Sequence, residues 1–288
     1  MLVAEWPDAI LFLCKAKDVD SHIAQDVANV EAVRAFISEK HRYEAPVVAV
    51  VTQVDELDPK RVEPPYENEA KRHNIDTAVR TIQEALTERG IALARVIPVS
   101  TYAEYEGERR VYDNYWNVEE LVDYLVDVLP RSAQIQMARL SQLQAVQRKL
   151  ARKMTAAAAA VAGGIAAAPI PVADILPLTA LQIGLITGIA YLSGREMSKA
   201  AARELLSALG VNVGAAFALR EGARALAKFV FPGAGSAVSA GVAFAGTWGL
   251  GEAAIAYFIE KRPIAEARKR FRRKRRETEE ERPPGSPA

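Results

Sequence analysis

Cysteine is almost missing from these 288 residues. The single thiol, Cys14, can form neither an internal disulfide framework nor a cluster of thiolate metal ligands, and it fits a reducing, cytoplasmic compartment. Charge of one sign is missing too. With 37 Lys+Arg against 36 Asp+Glu the balance is +1, so there is no basic excess of the kind a nucleic-acid-binding domain carries. The basic run Arg268 to Arg276 is followed by Glu277 to Glu281, which makes it a self-compensating solvated segment rather than an RNA arm. His22, His41 and His73 have no carboxylates at ligand spacing, and no metal site is expected. Ser100 lacks a Gly-x-Ser-x-Gly setting and is no nucleophile. Residues Met1 to Trp6 carry no basic segment leading into a long apolar stretch, so nothing indicates export. Half the residues are hydrophobic and a quarter charged, which is enough to bury a core and leads us to expect two domains.

Composition changes sharply near Arg131, and the expected fold class is α/β followed by all-α. Residues 1–130 hold three short apolar runs, Ala9 to Leu13, Val47 to Thr52 and Val96 to Ser100, each with the length of a strand buried on both faces. Helical patterns separate them: Ser21 to Glu39 with Ser21 as N-cap, Thr77 to Arg89 ended by Gly90, and then Asn117 to Leu129. That alternation predicts a partial parallel sheet of about three strands with helices. Residues 131–154 predict a connecting amphipathic helix, with Ile135, Leu140, Leu143, Val146 and Leu150 on one side. Residues 155–260 predict an apolar, Ala/Gly-rich helical hairpin domain broken at Pro169-Ile170-Pro171, and residues 261–288 a charged tail that is helical before it frays.

The chemistry sits at two strand ends. Thr52-Gln53-Val54-Asp55 follows Val47 to Val51, and Pro98-Val99-Ser100-Thr101 ends the third apolar run. A carboxylate in that position lies where open α/β sheets bind ligands. Taken alone, Thr52 to Asp55 also reads as a plain strand-end turn capped by Asp.

Together the two segments resemble the guanine-binding motifs of the Era-like GTPases of the P-loop superfamily, where Asn/Thr-Lys-x-Asp and Ser-Ala-x each follow a strand. The resemblance implies that Asp55 accepts hydrogen bonds from the guanine N1 and N2 donors, that Thr52 braces the loop, and that the Ser100-Thr101 backbone faces O6. A carboxylate suits this, because it would meet an acceptor if adenine were bound. Gln53 replaces the lysine whose stem usually stacks on the base, and Thr101 replaces the usual alanine. No Gly-x-x-x-x-Gly-Lys-Ser/Thr string occurs, nor an Asp-x-x-Gly before the first strand. The chain therefore reads as the back half of a G domain. GTP or GDP would be held through its base alone, Mg²⁺ is not supported, and GTP hydrolysis would need a longer form carrying the phosphate loop. The alternative is a non-enzymatic membrane- or partner-binding protein with a vestigial guanine pocket. In both cases the first strand leaves an exposed sheet edge, which suits the missing half or another protein.

The second half is similar to the YcjF-like domain of unknown function that follows G domains in some bacterial GTPases, through Pro169-Ile170-Pro171-Val172-Ala173-Asp174, Leu178-Thr179-Ala180-Leu181-Gln182 and Tyr191-Leu192-Ser193-Gly194. That resemblance implies membrane association. Ile175 to Ser193 would extend about 28 Å as a helix, close to the ~30 Å of a hydrocarbon core. Gly184-x-x-x-Gly188 would let helices approach closely in lipid. Insertion, flat interfacial binding helped by Arg268 to Arg276, and a soluble bundle all remain open.

Overall fold

The computed structural model describes residues 7–91, 93–167, 175–209 and 235–281. They form two compact units, Met1–Met137 and Ala138–Ala288.

In the first unit β1 (Ile10–Lys15), β2 (Val47–Thr52) and β3 (Leu93–Pro98) make an all-parallel sheet in that order. Helix α1 (Val19–His41) connects the first pair and α2 (Glu69–Glu88) the second. Five consecutive residues of β2, Val47 to Val51, are buried, as a central strand covered on both faces requires. Phe12, Cys14, Ala49 and Val51 pack on one face with Val27, Ile75, Ile82 and Leu86 from α1 and α2. Val48, Val50, Ile97 and Val99 pack on the other against Leu125 of α3 (Val118–Val128).

Strand β1 departs from the expectation of two buried faces. Leu11 and Leu13, paired in register with the buried Val48 and Val50, are 48% and 62% exposed, because α3 covers β2 and β3 and stops short of β1. The outer edge of β1 pairs with no strand among the described residues. Three further boundaries differ from the sequence reading. Helix α1 starts at Val19 with Asp18 at its N-cap, which leaves Ser21 inside the helix. Helix α2 starts eight residues before Thr77, because the Asn68 side chain accepts the Lys71 amide and caps it. An antiparallel hairpin, β4 (Ala103–Glu106) with β5 (Arg109–Asp113), lies between Thr101 and α3, where no strands were expected.

The second unit is helical. The expected connecting helix is two: α4 (Arg131–Ser141), which runs across the division at Met137, ends where Gln142 takes a positive φ of 55°, and α5 (Gln144–Ala167) begins after it in the second unit. Helices α6 (Ile175–Leu192), α7 (Lys199–Leu209), α8 (Gly235–Ala254) and α9 (Ile264–Glu281) follow, with a π-helical turn over Ile255–Ile259. Helices α5 and α8 touch closely through small residues. A Cβ on Gly251 would collide with the Thr155 side chain, and one on Gly163 would lie 3.5 Å from the Ala240 carbonyl oxygen. Gly184, by contrast, faces open space, so Gly184-x-x-x-Gly188 forms no two-glycine contact. Pro169 to Asp174, and the segment Gly214 to Ala234, lie outside the described residues.

Candidate functional site

The carboxyl ends of β2 and β3 bring together the side chains of Asp55 and Ser100. The chain leaves β2 at Thr52, whose hydroxyl donates to the Cys14 carbonyl of β1 at 3.3 Å, so Thr52 ties strand to strand rather than bracing the loop itself. Gln53 then adopts a left-handed conformation, φ 57° and ψ 37°, and a short 3₁₀ turn, Val54–Glu56, follows. Only a few per cent of non-glycine residues sit there, and such outliers cluster at ligand-binding turns. Asp55 rides on this turn. The Val54 amide donates to the Val99 carbonyl at 3.4 Å, and the Val99 amide to Val51 at 2.8 Å, which locks the two strand ends in register.

The Ser100 hydroxyl, wholly buried, donates to Asp55 Oδ1 at 2.7 Å and fixes the direction of the carboxylate. The Ser100 backbone is committed elsewhere: it exchanges hydrogen bonds with Trp116 at 3.1 and 2.8 Å. Its amide is therefore not free to face a base oxygen, and of the Ser100-Thr101 pair only the Thr101 amide lacks a partner among the described residues. Gln53 and Thr101 are exposed at the rim, and Asp55 is half-buried between them.

Sequence reasoning missed what lies beneath. Lys71, in the first turn of α2, is fully buried. Its ammonium donates to the Asp55 carbonyl at 2.8 Å and to the Leu57 carbonyl, and stands 5.2 Å from the centre of the Tyr66 ring. Burial pushes its pKa down, against the pull of the Asp55 and Asp58 charges. Tyr66, also fully buried and held at φ 56°, packs edge-on against Trp116 at 5.1 Å. Burial raises its phenol to about 12; the neighbouring Ser100 hydroxyl opposes this without reaching hydrogen-bond geometry, and the Asp55 charge adds to it. The only signal of Lys71 in the sequence was Asn68 three residues ahead of it, an N-cap that places Lys71 in a helix's first turn.

Beside this site the hairpin and the loop before α2 line an open cleft of about 810 Å³, with Tyr102, Glu104 and Tyr112 on one side and Arg61 and Glu63 on the other. No cluster of three or more metal-ligating side chains occurs among the described residues. Cys14 is buried and burial raises its pKa, which makes it an inert core thiol.

Among the described residues of the second unit, Ala240–Ile259 is long and apolar enough to cross a membrane, with 72% of its apolar window buried inside the unit; the apolar stretch described in α6, Pro177–Leu192, is shorter. Polar links join these helices. Gln182 donates to Thr247 at 3.0 Å, Arg152 meets the buried Glu252 at 3.3 Å, and Glu260 binds Arg270 at 2.8 Å and Arg148 at 3.7 Å. The helix expected at the start of the charged tail is α9, with Ala267 buried and Arg268, Lys269, Arg272, Arg273 and Arg276 exposed.

No curated protein and no solved structure matches the chain. Residues 131–278, just over half its length, match a family described as Domain of unknown function (DUF697), and the match covers α4 through most of α9. The chain belongs to the DUF697 family.

Proposed function

We propose that the chain is a guanine-nucleotide-binding protein of the Era-like kind that associates with membrane surfaces, and that hydrolysis of GTP belongs to a form in which a phosphate-binding loop is supplied. The observation that carries the reading is the 2.7 Å hydrogen bond from Ser100 to Asp55 at the carboxyl ends of two adjacent parallel strands. It holds one carboxylate oxygen and leaves the other to accept from a base edge that presents two N–H donors, as guanine does and adenine does not. Three features support it. The sheet order β1-β2-β3 is what the last three strands of a doubly wound G-domain sheet would give. The edge of β1, unpaired among the described residues and with Leu11 and Leu13 exposed, offers a docking place for a phosphate-binding half or another protein. The DUF697 family is commonly associated with GTPase-linked proteins. Membrane association would run through the exposed basic side chains of α9 acting on anionic headgroups, since the buried carboxylate of Glu252 in the apolar helix α8, paired with Arg152, suits a packed bundle better than a span.

Titration of the full chain with GMP and with AMP tests the nucleotide reading: GMP binds more tightly, and Asp55→Ala abolishes the difference. Equal binding of the two, or a preference that survives Asp55→Ala, refutes it. Flotation tests the membrane reading: the chain rises with vesicles containing phosphatidylserine and stays down with pure phosphatidylcholine, and Arg268→Glu/Arg272→Glu keeps it down with both. A chain that floats with neither refutes that part.

A further inference from the structure

We propose that Lys71 is a positioning residue: it holds the Asp55 turn in the orientation that base recognition requires, an inference that rests on the purine reading above. Lys71 stands where two ordinary preferences oppose a lysine. The first turn of a helix carries the positive end of its dipole and disfavours a cation. A fully buried ammonium is also costly without a carboxylate partner, and among the described residues none forms an ion pair with it. An apolar side chain would fill the same core position at lower cost. Departures of this kind concentrate at functional sites.

What the ammonium does instead is grip the turn from below. Its contacts go to the carbonyls of Asp55 and Leu57, two residues apart, and to the face of Tyr66. One helical step on, the Asn74 side chain donates to the Asp58 carbonyl at 2.8 Å. Residues 71 and 74 share a face of α2, so the turn from Asp55 to Asp58 hangs from that face by three hydrogen bonds. Asp55 is thus held at both ends, its carbonyl by Lys71 and its carboxylate by Ser100. Fixing the carbonyls of residues 55 and 57 fixes the backbone dihedrals between them and hence the direction in which the second carboxylate oxygen points. Lys71 touches no ligand in this arrangement; it acts through Asp55.

The test compares GMP with IMP, whose base lacks the exocyclic amino group, by chemical-shift titration of the full chain. The wild type is expected to favour GMP by about tenfold, the scale of one hydrogen bond to a charged acceptor, and Lys71→Met to reduce that ratio to within about twofold. Lys71→Arg, which keeps the donors, recovers part of it. A merely structural role would weaken GMP and IMP together and leave their ratio intact; that result overturns the proposal and leaves the purine reading standing. A wild type that does not distinguish GMP from AMP overturns the purine reading and this inference with it. Should Lys71→Met fail to fold, the wild type decides. In uniformly ¹⁵N-labelled protein, GMP must shift the buried Lys71 ammonium resonance, and a resonance that stays still while the Thr101 amide moves overturns the proposal.

Discussion

The Ser100 hydroxyl can be removed without touching the turn that carries Asp55, and the consequence can be worked out. Ser100→Ala deletes one oxygen from a wholly buried position and takes the donor away from Asp55 Oδ1 at 2.7 Å. A hydrogen bond to a charged acceptor contributes roughly 1.5–3 kcal/mol; Asp55 is half-buried, so water replaces part of the loss and about 1.5 kcal/mol is expected. Asp55→Ala removes the same bond from the other side. In a double-mutant cycle the two substitutions should therefore couple by about 1 kcal/mol or more, since each single variant already loses the shared interaction. Urea unfolding followed by exchange of the Val99 and Trp116 amides reads the effect locally, because these amides bond to Val51 and Ser100 across the strand ends. Additivity within about 0.3 kcal/mol would mean that the hydroxyl does not hold the carboxylate, and the base-edge geometry would lose its foundation.

Tyr66 predicts an alkaline transition: with its phenol raised by burial to about 12 from 10.0, its contribution is complete below pH 10 and is lost as the pH rises through 10 to about 12. The linkage amounts to about 3 kcal/mol at most, read as late tyrosinate absorbance at 295 nm coincident with unfolding of the first unit, and Tyr66→Phe should remove that component. Because the buried hydroxyl has no hydrogen-bond partner among the described residues, Tyr66→Phe should leave stability at pH 7 within about 1 kcal/mol of wild type or above it. Glu260 predicts the opposite edge. Burial pushes its carboxyl up, but the Arg270 hydrogen bond and the charges of Arg270, Arg148 and Arg262 outweigh this and hold it below 4.5, so its stabilisation is present above that pH and is lost as the pH falls through the lowered value. Thermal melts of the second unit should show this acid loss in wild type and a flatter profile in Glu260→Gln. Finally, Gly251→Ala drives a methyl into Thr155 and should lower the stability of the second unit by about 1–3 kcal/mol, with Thr155→Gly recovering part of it; an unchanged melt would mean that α5 and α8 do not approach so closely.

The parallel sheet was legible because its strands are short β-branched runs separated by helical patterns, and Val47 to Thr52 forms a strand over the residues expected. The face left open on β1 was not, since Leu11 and Leu13 look like core residues in sequence and their exposure depends on where α3 ends. The hairpin at 103–113 escaped for a related reason: its residues are mostly charged or aromatic and exposed, and no hydrophobic alternation marks them. At the site, Asp55 and Ser100 stand at the strand ends where the sequence puts them, and the structure adds the contact between their side chains. The Ser100 amide pairs with Trp116, and it is the hydroxyl that reaches Asp55. Lys71 stayed hidden because a lysine within a charged helix reads as solvated until the packing of Tyr66 and the turn above it is known.

The described site also limits its own affinity, and that limit discriminates between the two ways the chain could be used. On the proposed reading Asp55 and the Thr101 amide reach only the edge of a base, and the sequence has no glycine-rich phosphate loop to hold the phosphates. A base of about eleven non-hydrogen atoms, bound at roughly 0.3 kcal/mol per atom, gains about 3 kcal/mol, which corresponds to millimolar binding. Millimolar GMP affinity, with GDP and GTP no tighter than GMP, is therefore what the half-site by itself should give. If the exposed edge of β1 receives a polypeptide that brings phosphate-binding groups, each phosphate added to the ligand should tighten binding, and GTP should become micromolar or better, through contacts that the Asp55 edge cannot provide. Affinity that rises with phosphate number in the isolated chain would refute the division of labour proposed here, because phosphate recognition would then have to come from this chain's own residues.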